Sequence, residues 1–192
     1  MTDRDDYNDG RRYEPLGEPA WPVLDSDVEY ETGWYTGGYD LVEQPDGSTK
    51  RYYWAELATA VVVVAVTDGQ VVMVEQYRPT VRETQLELPA GIVEAGESFS
   101  QAAERELREE TGFEATSTSV LQEVWCTTGL LRHRRAFVFA EGLSPVGQEL
   151  DDNEFLSVHA VPVDEAIAVA RDGPTNDATV EGLLVARDEG LA

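Results

Sequence analysis

The chain has 192 residues, of which 42% are hydrophobic, and this is enough for one domain with a sizeable core. Thirty-eight acidic residues oppose 14 basic ones, giving a formal net charge of −24 that argues against nucleic acid or an anionic membrane as a partner, because both need cationic contacts. Cys126 is the only cysteine, which excludes an intrachain disulfide.

The acidic composition is typical of a salt-adapted, halophilic protein, and we interpret most surface carboxylates as an adaptation to solvent. An acidic cluster therefore indicates function in this chain only where its spacing is specific. Residues 1–10 lack the basic start and the apolar stretch of a secretory signal. The longest apolar run, residues 57–66, is far shorter than a transmembrane span. These features predict a cytoplasmic protein.

Two N-terminal regions precede the main domain. Residues 1–20 are polar and acidic and are predicted to form a flexible arm. Residues 21–55 contain aromatic stretches on either side of the turn sequence Gln44-Pro45-Asp46-Gly47-Ser48, which predicts an antiparallel β-hairpin. The main domain is then predicted to cover residues 56–192.

The main domain begins with strand signals. The run at residues 57–66 predicts a strand buried on both faces, and the turn at Asp68-Gly69 leads to a second strand at residues 70–76. The residues that favour loops after these strands are Pro79, Pro89, Gly91 and Gly96.

A helix is predicted over residues 99–111. Ser98 and Gln101 have the spacing of a capping box at its start, and Gly112 would end it in the left-handed conformation. Further strands are predicted near residues 118–125, 135–140 and 155–161. Asp164 is predicted to cap a helix that runs to residue 171, and a last helix is predicted at residues 176–187. Because helices and strands mix without regular βαβ alternation, we expect an α+β sandwich with a mixed β-sheet.

Acidic residues occur on an unexpected face of the helix at residues 99–111. At about 100° per residue, Glu106 and Glu110 fall on the apolar side, and Glu109 borders it. Three neighbouring carboxylates at a partly buried edge need a counter-charge, and Arg105 supplies only one. Clustered carboxylate oxygens suit Mg²⁺ or Mn²⁺. The alternative is a solvated helix end in a very acidic protein.

The spacing of residues around this helix is specific. It reads Gly, five residues, Glu, seven residues, Arg-Glu-aliphatic, one residue, Glu-Glu, one residue, Gly and an apolar residue. The residues at these positions are Gly91, Glu97, Arg105, Glu106, Leu107, Glu109, Glu110, Gly112 and Phe113. This pattern resembles the Nudix box, and acidic composition alone does not supply the glycines and the arginine in register.

The resemblance to the Nudix family implies a fold and a set of roles. The fold is an α/β/α sandwich with a mixed sheet, here preceded by the N-terminal β-hairpin region. The implied metal ligands are Glu106, Glu109, Glu110 and the carbonyl of Ala90, which a tight turn at Gly91 would direct towards the metal. Glu97 and Arg105 would orient the carboxylates, and Leu107 and Phe113 would anchor the helix in the core.

Several segments resemble the branch of ADP-ribose and nucleoside-diphosphate-sugar pyrophosphatases. They are residues 75–79 (Glu-Gln-Tyr-Arg-Pro), 87–91 (Glu-Leu-Pro-Ala-Gly), 153–155 with the strand after them, and 173–179. The resemblance implies Mg²⁺-dependent hydrolysis of ADP-ribose to AMP and ribose 5-phosphate, and a homodimer formed by the N-terminal hairpin. Thr128 departs from the pattern, since this branch usually has proline there.

The same resemblance implies candidate substrate residues. Arg78 would pair with a phosphate or with the terminal ribose. Tyr39, Tyr53 and Trp54 would stack on adenine, or are ordinary aromatic residues of a strand or dimer interface. Asp152 and Glu154 occupy the position of a mobile acidic loop, where one of them would activate water or hold a further metal, or the loop is simply solvated.

Two other functions stay open at this point. One is hydrolysis of a different nucleoside-diphosphate sugar or of a modified nucleotide. The other belongs to a different class, namely a non-catalytic Nudix module that senses a nucleotide and regulates a partner. Complete box carboxylates favour an enzyme, because such modules usually have lost some of them.

Overall fold

A computed structural model of the protein describes residues 20–150 and 154–192. The arm predicted at residues 1–20 therefore lies outside the described residues apart from Ala20, and so does Asp152. The strands are β1 (Val23–Glu31), β2 (Tyr35–Glu43), β3 (Thr49–Leu57), β4 (Ala60–Thr67), β5 (Gln70–Arg78), β6 (Glu83–Glu87), β7 (Ala90–Ile92), β8 (Phe113–Glu114), β9 (Ser117–Trp125), β10 (Leu131–Arg132), β11 (Arg134–Glu141), β12 (Ser144–Pro145) and β13 (Leu156–Pro162). The helices are α1 (Phe99–Glu106), a π-helical turn (Leu107–Thr111), α2 (Val163–Ala170) and α3 (Asp177–Asp188).

The N-terminal sheet has the strand order β1-β2-β3-β10. Its predicted hairpin is confirmed, because β2 and β3 pair in antiparallel register from Tyr35 opposite Leu57 to Glu43 opposite Thr49. The parallel pairing of β10 with β3 joins this sheet to a segment of the main domain. The N-terminal sheet is therefore connected to the main domain twice, by the pairing of β10 with β3 and by the chain that leads from β3 into β4.

The central sheet has the order β13-β5-β4-β11-β9, with β6 paired to β5 and β7 paired to β4. It is mixed, because β4 and β11 run parallel whereas β4 and β5 run antiparallel. Val61, Val62, Val63 and Val64 are all at most 2% exposed, so β4 is buried on both faces as its apolar run predicts.

Helices cover both faces of the central sheet. One core cluster joins the sheet to α2 and α3 through residues such as Ala166 and Leu183. The other joins the opposite face to α1 through Ala102, Ala103 and Leu107. This arrangement confirms the predicted α/β/α sandwich, and it places α1 against β7 at one edge of the core.

Two local predictions are wrong, and two strands were not predicted. Pro79, Pro89 and Gly96 lie outside the strands as predicted, but β6 and β7 lie between them. Gly91 lies in β7 opposite Val61 and does not have the positive φ of a tight turn. Asp164 lies in the first turn of α2, whose cap position is held by Pro162 without a side-chain hydrogen bond, because β13 runs directly into the helix.

Within the described residues, no helix is long and apolar enough to cross a membrane.

Candidate active site

The acidic helix starts as predicted and then changes its geometry. The Ser98 side chain accepts a hydrogen bond from the Gln101 N–H, and the Gln101 side chain caps Ser98 in return. After Glu106 the chain continues as a π-helical turn that ends at Gly112 with φ of 73°. A π-helical turn admits an extra residue per turn and is frequent at functional sites. It lies where Glu109 and Glu110 leave the regular helix.

Glu106 lies directly against the backbone of Gly91. Glu106 is buried, with only 8% of its surface exposed. A Cβ at position 91 would overlap the Oε1 atom of Glu106. Glycine is therefore required at this position because the carboxylate approaches the β7 backbone closely, and not because the chain turns there.

Glu110 is the most deeply buried carboxylate of the helix segment, at 4% exposed. Its Oε2 accepts a hydrogen bond from the Ala90 N–H at 3.0 Å. Burial is the main cause that raises the pKa of Glu110 to about 8; the charges of Glu106 and Glu154 contribute to this rise, and the Ala90 N–H opposes it. Burial also raises the pKa of Glu106. Both carboxylates therefore lack sufficient positive charge nearby.

Arg105 is the cation that binds the surrounding acids. Its Nε and Nη2 donate to the two oxygens of Glu97 at 2.9 and 3.0 Å, and its Nη1 donates to Glu106 at 2.7 Å and to Glu109 at 3.1 Å. The side chain also donates to the Ile92 carbonyl at 2.8 Å. Arg105 and Glu97 thus connect the helix to the strand that carries Gly91.

The other box residues complete the packing. Leu107 is fully buried, and Phe113 packs against the same core cluster, so both anchor the acidic segment as predicted. The Gln148 side chain donates to the Glu110 carbonyl at 2.6 Å. Gln148 was not predicted from the sequence, because its hydrogen bond to Glu110 joins residues that are 38 positions apart in the chain.

A divalent metal fits the chemistry of this site. Glu106 and Glu110 are buried acids with raised pKa values, and Glu106 and Glu109 share a single guanidinium. Within residues 20–150 and 154–192, no three His, Cys, Asp or Glu side chains already form a metal-binding group. Mg²⁺ completes its coordination shell with water and substrate phosphates, so it does not need a preformed group of three protein side chains.

Arg78 lies at the end of β5 and is held by a residue that the sequence analysis assigned no role. Its Nε and Nη2 donate to Glu87 Oε2 at 2.9 and 2.5 Å. Arg78 also lowers the pKa of Glu110, which its charge would do only from nearby. Glu87 is the first residue of the segment at 87–91 that resembles the ADP-ribose pyrophosphatase branch. It is only 2% exposed, which is unusual for a carboxylate.

The predicted aromatic residues do not share one face. Tyr39 and Tyr53 are cross-strand partners whose rings meet edge to face with centroids 5.9 Å apart. Trp54 pairs in register with Gly38 and therefore projects to the opposite face of the sheet. Its indole N–H donates to Asp40 at 3.1 Å, and the Arg132 guanidinium lies 3.9 Å from its ring centroid.

The remaining candidates divide between the site and the surface. Glu154 raises the pKa of both Glu106 and Glu110, which places its charge near them. The arginines at 132, 134 and 135 form ion pairs with acidic side chains, namely those of Asp40, Glu123, Asp177 and Glu181. Cys126 is a free cysteine and is buried.

Comparison with known proteins agrees with this geometry. Residues 56–182 match the NUDIX domain family. The chain belongs to the Nudix family and is a hydrolase of pyrophosphate bonds.

The curated relatives indicate to which branch of the Nudix family the chain belongs. An ADP-ribose pyrophosphatase of Bacillus subtilis (strain 168) is 34% identical over 140 residues, covering 71% of this chain and 76% of the relative. An ADP-ribose pyrophosphatase of Mycobacterium tuberculosis is 34% identical over 174 residues, covering 88% and 84%. A methanol dehydrogenase activator of Bacillus methanolicus is 35% identical over 136 residues, covering 69% and 74%. The chain falls in the branch that contains the ADP-ribose pyrophosphatases.

A solved structure described as an ADP compounds hydrolase superposes with a TM-score of 0.82 at 23% sequence identity. The superposition covers 91% of this chain and 98% of that chain. The coverage includes most of the N-terminal sheet as well as the sandwich, which supports the same architecture for both regions.

Proposed function

We propose that the protein hydrolyses ADP-ribose to AMP and ribose 5-phosphate and that it requires Mg²⁺, for which Mn²⁺ can substitute. The observation that carries the proposal is the pair of buried carboxylates, Glu106 and Glu110, held against β7 with too little positive charge to balance them. The two relatives named as ADP-ribose pyrophosphatases favour this substrate among nucleoside-diphosphate compounds.

Each residue has a defined task in this mechanism. Glu106, Glu109, Glu110 and the Ala90 carbonyl would hold the metal, which would withdraw charge from the pyrophosphate and stabilise the departing phosphate. Arg105 and Glu97 keep the carboxylates in place. Glu154 is proposed to accept the proton from the attacking water, with Asp152 as the alternative on the same loop. Arg78 binds a phosphate oxygen or the terminal ribose.

The N-terminal sheet is proposed to form a homodimer and to contribute Tyr39, Tyr53 or Trp54 to the adenine site. Large aromatic residues on it are exposed, with Trp34 at 76%, Tyr30 at 58% and Tyr53 at 54%. Exposed apolar surface of this kind is typical of an interface. Light scattering coupled to gel filtration tests the proposal, and a monomer at micromolar concentration would contradict it.

The test of activity is a substrate panel with Mg²⁺ or Mn²⁺. It contains ADP-ribose, other nucleoside-diphosphate sugars, dinucleotides and nucleoside triphosphates. We expect ADP-ribose to have the highest kcat/KM, with AMP and ribose 5-phosphate as products. A higher kcat/KM for another compound would select the alternative substrate class. Nucleotide binding without any turnover would favour the sensor, an alternative that the relative named as an activator keeps relevant.

The carboxylate pair is tested by Glu106→Gln and Glu110→Gln, which keep the side-chain shape and remove the charge. We expect each to lower kcat by at least about 100-fold, comparable to the loss of a well-placed charged group. Glu104→Gln is the matched control, because Glu104 lies on the exposed side of the same helix. Full metal-dependent activity in both box variants would contradict the proposal.

A further inference from the structure

Glu87 is a buried carboxylate outside the acidic helix. It lies at the end of β6, is 2% exposed, and accepts hydrogen bonds from three side chains. Gln76 donates at 3.2 Å, Arg78 at 2.9 and 2.5 Å, and Asn176 at 2.8 Å. A buried carboxylate is costly unless its lone pairs are satisfied, so this set of donors determines its orientation.

The two oxygens of Glu87 have different partners. Oε2 accepts from both Arg78 and Gln76, whereas Oε1 accepts from the Asn176 amide. The same amide group uses its Oδ1 to cap α3, accepting the Ala178 N–H at 2.8 Å. Helix α3 therefore fixes Asn176, and Asn176 fixes the plane of the Glu87 carboxylate.

This arrangement leaves one face of Arg78 available. Its Nε and Nη2 are used by Glu87, which leaves Nη1 outside the contact with Glu87. The side chain is 41% exposed, so Nη1 is accessible to a ligand. Strand β5, which carries Arg78, contacts the π-helical turn that carries Glu110, and Glu87 lies three residues before Ala90, whose N–H donates to Glu110.

We infer that Glu87 is a positioning residue, which holds the Arg78 guanidinium at the edge of the carboxylate site so that Nη1 binds a phosphate oxygen of the nucleoside-diphosphate substrate. Asn176 and the start of α3 form the rigid support of this arrangement. The inference rests on the proposed function, in which Arg78 binds the substrate. A free arginine side chain has many rotamers, and fixing one of them in advance lowers the entropy cost of binding.

The test compares Glu87→Gln, Arg78→Gln and the double variant. Asn176 and Arg78 donate to different oxygens of Glu87, and an amide has only one acceptor oxygen, so in this arrangement Glu87→Gln keeps only one of the two contacts. We expect KM to rise about tenfold or more in each single variant, with kcat changed less than about threefold, because the interaction is present before and during reaction. If Glu87 acts through Arg78, the double variant has the KM of Arg78→Gln alone.

Thr179→Val is the matched control. The Thr179 hydroxyl accepts a hydrogen bond from the Leu88 N–H at 3.1 Å. The variant therefore loosens the packing of α3 against the residue that follows β6, without changing Glu87. We expect a lower melting temperature and an unchanged KM. A KM increase equal to that of Glu87→Gln would show that loosening of α3 is responsible, and would overturn the inference.

A second readout does not depend on any substrate. The Nε–H of Arg78 donates to Glu87, so its NMR signal should exchange slowly with water in the wild type and faster in Glu87→Gln, where no carboxylate accepts it. If Glu87→Gln does not fold, Asn176→Ser replaces it, because serine still caps α3 but is too short to reach Glu87. We expect Asn176→Ser to speed exchange and to raise KM.

These outcomes separate the inference from the proposed function. The wild-type substrate panel decides which compound is hydrolysed, and the variants are compared on that compound. Unchanged exchange of the Arg78 Nε–H in folded Glu87→Gln would overturn the positioning role. The positioning role would also be overturned if the two substitutions raised KM independently, so that the factors of the single variants multiplied in the double variant.

Discussion

The carboxylate of Asp40 and the guanidinium of Arg132 lie 2.5 Å apart, although 92 residues separate them in the sequence. Both residues also contact Trp54, Asp40 through a hydrogen bond from the indole and Arg132 through its position over the ring. The contact joins the N-terminal sheet to the segment that precedes β11. The proposed adenine-binding residues therefore have a fixed connection to the catalytic domain.

Asp40 makes this connection dependent on pH. Burial raises its pKa, but hydrogen bonds from Ser26, Trp54 and Arg132 outweigh burial and hold the pKa below its ordinary value of 3.8. The folded state therefore binds this proton less readily than the unfolded state, and the stabilisation is complete above about pH 4 and is lost as pH falls further. We expect Asp40→Asn to lower the free energy of unfolding by about 1–2 kcal/mol at pH 7.

The difference between wild type and Asp40→Asn should shrink below pH 4. Urea denaturation followed by tryptophan fluorescence at several pH values measures it. A difference that is constant from pH 3 to pH 7 would show that the charge of Asp40 does not contribute.

Gly91→Ala tests the close approach of Glu106 to β7. The added Cβ would overlap the Oε1 atom of Glu106, so either the carboxylate or the strand must move. We expect kcat to fall by at least about tenfold and stability to fall by about 1–3 kcal/mol, which is typical of overpacking. Gly33→Ala is the control, because a Cβ at Gly33 meets no atom within 4 Å. Wild-type kcat in Gly91→Ala would contradict the geometry.

Metal binding should stabilise the wild-type protein. A cation that binds the folded state between Glu106 and Glu110 relieves the repulsion of buried acids, and at 100 times its dissociation constant it adds about 2.7 kcal/mol. We expect EDTA to lower the melting temperature and Mg²⁺ to restore it. Scanning calorimetry of Glu110→Gln provides the comparison, since this variant should be insensitive to both additions. An equal Mg²⁺ effect in this variant would place the cation elsewhere.

Salt dependence follows from the net charge of −24. Repulsion between surface carboxylates is screened within about 3 Å at 1 M salt, compared with about 10 Å at 0.1 M. We expect the melting temperature at pH 7 to rise between 0.1 and 1 M KCl. The increase should be smaller at pH 5, closer to the sequence pI of about 4.2. A melting temperature that falls with KCl at pH 7 would contradict a halophilic interpretation.

The elements that have local signals could be predicted from the amino-acid sequence alone. The spacing from Gly91 to Phe113 identified the box, the Ser98 and Gln101 pair identified the start of α1, and the valines of β4 identified a strand buried on both faces. Helical periodicity also placed Glu106 and Glu110 on the buried side. These features depend on residues within a few turns of one another, so composition and spacing are sufficient to find them.

Contacts between residues far apart in the sequence could be seen only in the folded chain. Glycine at position 91 is required by the carboxylate of Glu106, which the helix carries back across β7. Glu87 is oriented by Asn176, which lies 89 residues further along the chain. Strands β6 and β7 form because β5 and β4 supply hydrogen-bond partners to a segment with strong loop signals. Such contacts depend on the packing of the whole sheet, and local periodicity does not record them.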